Sequence, residues 1–73
     1  MESKQDIIEK FAKRLKEIRL KKNISQEKLG FKADLDRTYI SGVERGKRNI
    51  SLRNIEKLAT ALEIDIIDFF KNK

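Results

Sequence analysis

The sequence predicts an all-α fold of five short helices around one core, with two of them joined by a tight turn at the centre of the chain. Apolar residues recur at helical spacings of three and four along most of the 73 residues. The chain has no proline and only three glycines, as expected for helices joined by short turns. A chain of this length buries about 60–65% of its unfolded surface, so we expect one domain over residues 1–73 with a thin stability margin.

The first helix is predicted from Gln5 to Lys22. Asn23 is expected to end it, and Ile24 to anchor the chain as it enters the next helix. The buried stripe of this helix, judged by spacing, consists of Ile7 or Ile8, Phe11, Leu15 and Ile18.

The central pair of helices is predicted over about residues 26–45. Ser25 is a typical N-cap for the first of the two, and Gly30 leaves room for the second helix to cross closely. Asp34 lies where the chain must turn, and Asp is one of the few non-glycine residues that tolerate the left-handed conformation. Leu35 is expected to fill the space beneath the turn. This pattern is typical of a helix-turn-helix.

The second helix of the motif begins after Asp36, which is a second N-cap. Ile40 and Val43 share its buried face. The residues expected to face elsewhere are Arg37, Thr38, Ser41 and Arg45. A short helix with a buried stripe and a polar, basic outer face is the element that enters a DNA major groove.

Two more helices complete the predicted fold. Gly46 is placed for a C-terminal cap, and Ser51 is the N-cap of the fourth helix. Asp65 caps a last helix from Ile66 to about Lys71. The residues predicted to face the core are Leu52, Ile55, Leu58, Ala59, Leu62, Ile64 and either Phe69 or Phe70.

The formal net charge of +6 is unevenly distributed along the chain. Residues 10–53 hold fourteen Lys and Arg against five Asp and Glu, whereas residues 54–70 hold one Lys against four acids. A basic module of this kind suits contact with phosphate. With no Cys and no His, the usual zinc and acid–base ligands are missing, and we expect no enzymatic activity, metal or cofactor. No apolar run approaches the roughly 20 residues that span a bilayer, so we expect a cytoplasmic protein without a membrane partner.

The chain also resembles a known family through its central motif and the residues around it. The features that carry the resemblance are Arg19, Gln26, Tyr39-Ile40-Ser41, Glu44-Arg45-Gly46-Lys47-Arg48 and Leu58-Ala59-x-x-Leu62. Together they resemble the Cro/cI-type (XRE-like) repressor domain over about residues 11–70, which implies a compact lambda-repressor-like DNA-binding fold. The run Leu35–Gly42, with Glu44-Arg45, is most similar to the small controller proteins of restriction–modification systems.

Base reading is expected from the exposed turns of the second motif helix. Arg37 has a planar donor fork that matches guanine O6 and N7, and Thr38 can contact a thymine methyl or make one hydrogen bond. Ser41 is short and near the groove, while Gly42 is expected to let the helix approach DNA closely. Asp36 departs from the small neutral cap more usual in the family, and could orient Arg37 or accept from cytosine N4.

Phosphate contacts are expected around this helix, because backbone amides at helix N-termini and nearby side chains are the usual donors. The predicted set is Gln26, Tyr39, Arg45, Lys47, Arg48, Asn49 and Ser51. The roles of Gln26 and Tyr39 come from the resemblance, and the alternative for Tyr39 is an amphipathic residue at the core edge. The resemblance also implies a structural ion pair between Arg19 and Glu44, the alternative being two exposed charges.

A single domain of this kind contacts only a few base pairs, so we expect a homodimer on two-fold related half-sites, and cooperative pairs of dimers on adjacent sites. Dimerisation is expected within about residues 52–70, where large apolar side chains outnumber what one inward stripe can bury. Ile67 could alternatively be an isolated surface apolar residue. The expected interface residues are Ile64, Ile67, Phe69 and Phe70.

The sequence therefore predicts a sequence-specific transcription regulator that binds double-stranded DNA. By resemblance it is a restriction–modification controller protein acting on pseudo-palindromic operators, and RNA polymerase is a further partner that it could contact at a promoter. A phage-type repressor and an operon-repressing antitoxin are the alternatives within this class. From other classes, we weigh a protein-interaction module without DNA binding, and an RNA binder. The latter is disfavoured because the four Phe residues are mostly explained as core and interface.

Overall fold

The computed structural model describes residues 4–71, and over that range the chain forms helices and no strand. Four α-helices are followed by one 3-10 helix, as predicted in number and order. Their bounds are α1 Lys4–Lys21, α2 Gln26–Ala33, α3 Arg37–Glu44, α4 Leu52–Leu62 and η1 Ile66–Phe69. The last element was expected to run to about Lys71 but is a single four-residue turn, closed by a capping box between Asp65 and Asp68. Among residues 4–71, no helix is long and apolar enough to cross a membrane.

The helix boundaries follow from local chemistry. The four predicted N-caps each accept a hydrogen bond from a backbone N–H in the first turn of their helix, at 2.9–3.2 Å: Ser25, Asp36, Ser51 and Asp65. Asn23 and Asp34 end α1 and α2 in the left-handed region, with φ of 57° and 58°. Gly46 follows α3 with φ of 71°, as expected for a glycine after a helix. Glu63 ends α4 at φ 58°, which the sequence did not predict.

The core lies between the helices and is built from the predicted stripes. Its members include Phe11, Leu15 and Ile18 of α1, Leu29 of α2, Ile40 and Val43 of α3, and Ile55, Leu58, Ala59 and Leu62 of α4. Leu52 was predicted to join them, but its side chain is 79% exposed. It is the first residue after the Ser51 cap, and the buried stripe of α4 starts one turn later, at Ile55. Of the isoleucine pair in α1, Ile8 is half-buried and Ile7 is exposed.

The last turn is held against α1 by aromatic packing. Phe69 is buried, and its ring centroid lies 4.9 Å from that of Phe11. Phe70 remains half exposed, although its ring also lies 6.0 Å from Phe11. Arg14 Nε donates to the carbonyl oxygen of Asp68 at 2.9 Å, which adds a polar contact between α1 and η1. The C-terminal turn therefore belongs to the core on one side and presents apolar surface on the other.

The crossing of α2 and α3 depends on Gly30. A Cβ atom at this position would lie 2.6 Å from the carbonyl oxygen of Leu35 and 3.5 Å from the backbone nitrogen of Arg37. The predicted need for space is confirmed, and the closest group is the backbone of the turn. Leu35 is half-buried beneath that turn, against the core, as predicted. Any side chain at position 30 would push α3 away from its present angle.

Candidate nucleic-acid interface

The N-terminal turn of α3 presents the predicted base-reading residues to solvent. Asp36 caps this turn, and its Oδ1 accepts both the backbone N–H and the hydroxyl of Thr38 at 2.9 Å. Hydrogen bonds from the Thr38 amide and hydroxyl lower the pKa of the Asp36 carboxyl, and the charge of Arg37 lowers it further. Arg37 and Thr38 are both exposed. The carboxylate thus stays ionised beside two side chains that can reach a base edge.

The second half of α3 and its C-cap residue carry a second pair of predicted site residues. Arg45 Nη1 donates to Ser41 Oγ at 2.8 Å. Ser41 was predicted to read bases and Arg45 to contact phosphate, and the structure joins them across one helical turn. Ser41 is half-buried, while Arg45 is exposed. Because the serine oxygen accepts from arginine, its own proton is available to a further acceptor.

Tyr39 lies at the contact between α3, α4 and the loop that joins them. Its ring is partly buried against the core, and its hydroxyl oxygen accepts from Asn54 Nδ2 at 3.0 Å. The guanidinium carbon of Arg48 lies 5.5 Å from the Tyr39 ring centroid, a cation–π contact. Tyr39 therefore has a ring at the edge of the core, covered by a positive charge, and a hydroxyl bound to Asn54. Asn54 was not among the site residues predicted from the sequence.

Gly42 makes room for the Arg48 side chain, and not for DNA as expected. It was predicted to let α3 approach DNA closely, but it is buried, and a Cβ atom there would lie 3.0 Å from Arg48 Cγ. The side chain of Arg48 covers this glycine on its way to the Tyr39 ring. That expectation for Gly42 is therefore wrong in this structure, where the glycine makes room for Arg48.

The predicted ion pair between Arg19 and Glu44 is present and buried. Arg19 Nε donates to Glu44 Oε2 at 2.7 Å and Nη2 donates to Oε1 at 3.0 Å, in the bidentate geometry of a strong pair. The side chains are 8% and 3% exposed, so the alternative of two exposed charges is wrong. Arg19 Nη1 also donates to the carbonyl oxygen of Ile24 at 2.8 Å. The pair ties α1 to the end of α3 and so fixes the angle of that helix.

Gln26 is drawn into the same network. Its Nε2 donates to Glu44 Oε1 at 3.0 Å, so one of its two amide protons serves the buried carboxylate. Gln26 was predicted to clamp a phosphate, and in this arrangement the second amide proton and the backbone N–H at the start of α2 are its donors for that role. Glu44 is thereby held by side chains from two other helices.

The remaining predicted phosphate residues lie between α3 and α4. Lys47, Arg48, Asn49 and Ser51 are all exposed there, and Ser51 Oγ is engaged as the α4 cap. The basic residues of this segment continue the polar face of α3. What these four residues have in common is their position in the segment between α3 and α4.

The predicted dimer residues divide into two groups. Ile67 is 57% exposed and Phe70 is 50% exposed, but Phe69 lies in the core and Ile64 is half-buried against it. Phe69 therefore cannot offer free surface to a second molecule, because its ring packs against that of Phe11. Two exposed apolar residues lie in the predicted dimerisation region but were not among the predicted interface residues: Leu52 and Ile66 line one shallow hollow, together with Arg53 and Glu56.

Comparison with known proteins gives a consistent family. The family model described as Helix-turn-helix matches residues 15–69. Control protein C.BamHI of Bacillus amyloliquefaciens is 56% identical over 63 residues, which cover 81% of this chain and 78% of that protein. Control protein C.MunI of Mycoplasma sp is 44% identical over 68 residues, or 92% of each chain.

Two crystal structures of similar proteins share the fold. The restriction–modification controller protein C.AhdI from Aeromonas hydrophila has a TM-score of 0.87 and 54% identity, covering 89% of this chain and 98% of its own. The controller protein C.Esp1396I, solved as a tetramer in complex with its natural 35 base-pair operator, has a TM-score of 0.83 and 42% identity, covering 94% and 88%. Since both the matched segment and these relatives span most of its length, the chain belongs to the helix-turn-helix family of restriction–modification controller proteins.

Proposed function

We propose that this protein is a restriction–modification controller that binds operator DNA through α3 and regulates transcription. The observation that carries the proposal is the exposed N-terminal turn of α3, held at a fixed angle by the buried Arg19–Glu44 pair. Arg37 lies on that turn and has the donor geometry to read guanine in the major groove. The function is binding, and it needs no catalytic group or cofactor.

The second part of the proposal assigns the base and phosphate contacts. Base reading falls to Arg37, Thr38 and Ser41. The phosphate contacts surround them, from the start of α2 to the start of α4: Gln26, Tyr39, Arg45, Lys47, Arg48, Asn49 and Ser51. Contacts to phosphate set the position of the domain, and contacts to bases give the sequence preference.

The third part is assembly. We assign the dimer contact to exposed apolar residues of the region 52–70, with Ile67 and Phe70 at its centre and Leu52 and Ile66 beside them. A two-fold dimer would place two α3 helices on half-sites about one helical turn apart. The C.Esp1396I tetramer on a 35 base-pair operator supports pairs of dimers on adjacent sites.

In the cell, we place the protein in the cytoplasm, where it controls its own gene and that of a restriction endonuclease. Dimerisation and cooperative site occupation would make its output steep in protein concentration. RNA polymerase is the partner whose access to the promoter the bound dimers change. In vitro transcription with purified polymerase measures whether that change is activation or repression.

Filter binding tests the proposed function directly. The protein is titrated against duplex DNA from upstream of its own gene, a scrambled duplex and single-stranded RNA, at one fixed salt concentration. We expect a preference for the upstream duplex that Arg37→Ala reduces. Lys16→Ala, which also removes one exposed positive charge but lies on α1, is the matched control and should bind as the unmodified protein does. Equal affinity for all three nucleic acids would contradict the proposal.

A further inference from the structure

We propose that Asn54 is a positioning residue for DNA binding, whose amide group fixes the Tyr39 hydroxyl as a hydrogen-bond donor to a phosphate diester. This inference rests on the proposed function, and it adds a residue to which neither the sequence nor the family likeness gave a role. Its starting point is the contact between Asn54 Nδ2 and the Tyr39 hydroxyl oxygen, at 3.0 Å.

Asn54 is held firmly enough to direct its neighbour. It lies in the first turn of α4, where its backbone N–H donates to Ser51 Oγ at 3.1 Å. Its side chain then reaches across to α3, fifteen residues back in the sequence. Both Asn54 and Tyr39 are half-buried, which limits the rotamers open to either side chain.

The polarity of this hydrogen bond carries the inference. The nitrogen of a primary amide can only donate, so the Tyr39 oxygen is the acceptor. A phenolic hydroxyl has a single proton, and here that proton must point away from Asn54. Phosphate oxygens in DNA can only accept a hydrogen bond. The contact therefore leaves the Tyr39 hydroxyl proton free to be donated to a phosphate oxygen.

Arg48 places positive charge over the ring that carries this hydroxyl. Its guanidinium carbon lies 5.5 Å from the Tyr39 ring centroid, and its stem rests on Gly42, where a Cβ atom would be only 3.0 Å from Cγ. A phosphate diester that accepts from the Tyr39 hydroxyl would also be attracted by the arginine charge that lies over the same ring. The hydroxyl thus supplies a directional hydrogen bond to the phosphate, and the guanidinium supplies electrostatic attraction to it.

A double-mutant cycle tests the coupling between the two residues. Asn54→Leu keeps a side chain of similar size without a donor, and should weaken operator binding about 3- to 10-fold, the range of one ordinary hydrogen bond. In a Tyr39→Phe background the same change should alter affinity less than about twofold, since the hydroxyl that Asn54 directs is gone. Equal losses in both backgrounds would overturn the proposal, as would unchanged binding by Asn54→Leu.

Asn54→Asp reverses the polarity of the contact. A carboxylate only accepts, so the Tyr39 hydroxyl would donate its hydrogen bond to the new carboxylate instead of to phosphate, and the substitution would also bring negative charge near DNA. When Tyr39 keeps its hydroxyl, we expect Asn54→Asp to reduce operator affinity more than Asn54→Leu does. In the Tyr39→Phe background, Asn54→Asp should reduce affinity less, because only the effect of its charge remains. If the loss is the same with and without the hydroxyl, polarity plays no part and the proposal fails.

Two further readouts separate this role from a structural one. Because Tyr39 is neutral, Asn54→Leu should leave the salt dependence of binding unchanged, whereas Arg48→Ala should lower the log–log slope by about one unit. A set of operators, each with one phosphate linkage replaced by a neutral methylphosphonate, should contain one replacement that weakens binding by the unmodified protein. The same replacement should not weaken binding by Asn54→Leu or by Tyr39→Phe. No such linkage would refute the inference. Failure of the unmodified protein to bind its operator would instead refute the proposed function.

Discussion

The buried ion pair between Arg19 and Glu44 gives the strongest prediction about stability. Arg19→Met keeps an unbranched stem but leaves the Glu44 carboxylate, at 3% exposure, with Gln26 as its remaining side-chain donor. Removing one partner of a buried pair costs about 3–5 kcal/mol, because the other charge stays buried without compensation. A domain of this size has a total stability of roughly 4–11 kcal/mol. The variant should therefore be folded only marginally.

Thermal unfolding followed by circular dichroism measures this loss. In a domain of this length each kcal/mol shifts the melting midpoint by about 4–8 °C, so we expect a fall of about 12–40 °C. Lys16→Met, which removes one exposed charge from the same helix, is the control and should melt with the unmodified protein. A midpoint for Arg19→Met equal to that of Lys16→Met would refute the reasoning. Below its midpoint, Arg19→Met should keep the base preference of the unmodified protein.

Further variants address charge, reading, assembly and pH. Arg48→Ala should lower the slope of log affinity against log salt by about one unit, measured on the operator over a salt series; an unchanged slope removes Arg48 from the phosphate set. Arg37→Ala should weaken binding to the preferred site by about 1–3 kcal/mol and leave random DNA nearly unaffected in filter binding, and equal losses on both would show a backbone contact instead. Ile67, 57% exposed, should contribute about 1–2 kcal/mol per copy when buried, so Ile67→Asp should sediment as a folded monomer; a persisting dimer would show that Ile67 is not at the centre of the interface, and would move that centre to the exposed side of α4. The lowered pKa of Asp36 means that its stabilising contribution is present above the ordinary value of 3.8 and lost as pH falls through the lower folded value. The difference in melting midpoint between the unmodified protein and Asp36→Ala should therefore shrink at low pH, and a constant difference would contradict this.

The elements that sequence predicted best are those governed by neighbours along the chain. N-capping by Ser25 and Asp36 is a contact over two or three residues, so the residue type and its position suffice to predict it. Asp34 in the left-handed turn is predictable for the same reason. The Arg19–Glu44 pair spans 25 residues, and it was anticipated only through resemblance to a family.

The sequence did not predict features set by the packing of separate helices. The bond from Gln26 to Glu44 and the bond from Asn54 to Tyr39 join residues 18 and 15 positions apart, and both depend on how α2, α3 and α4 meet. Phe31, in α2, is 87% exposed, which its apolar character did not indicate. Periodicity predicts which face of a helix is apolar, but only the packed structure shows at which residue that face stops contacting the core.

Selection of bound oligonucleotides from a random duplex pool tests sequence-specific, two-fold symmetric DNA binding most directly. The purified, unmodified protein is used at physiological salt, and the enriched duplexes are sequenced. We predict one enriched motif made of two inverted half-sites about one helical turn apart, with a guanine in each half-site that loses its enrichment in Arg37→Ala. A pool that shows no enriched motif after repeated rounds would contradict the proposed function, and an enriched motif without two-fold symmetry would contradict the proposed dimer.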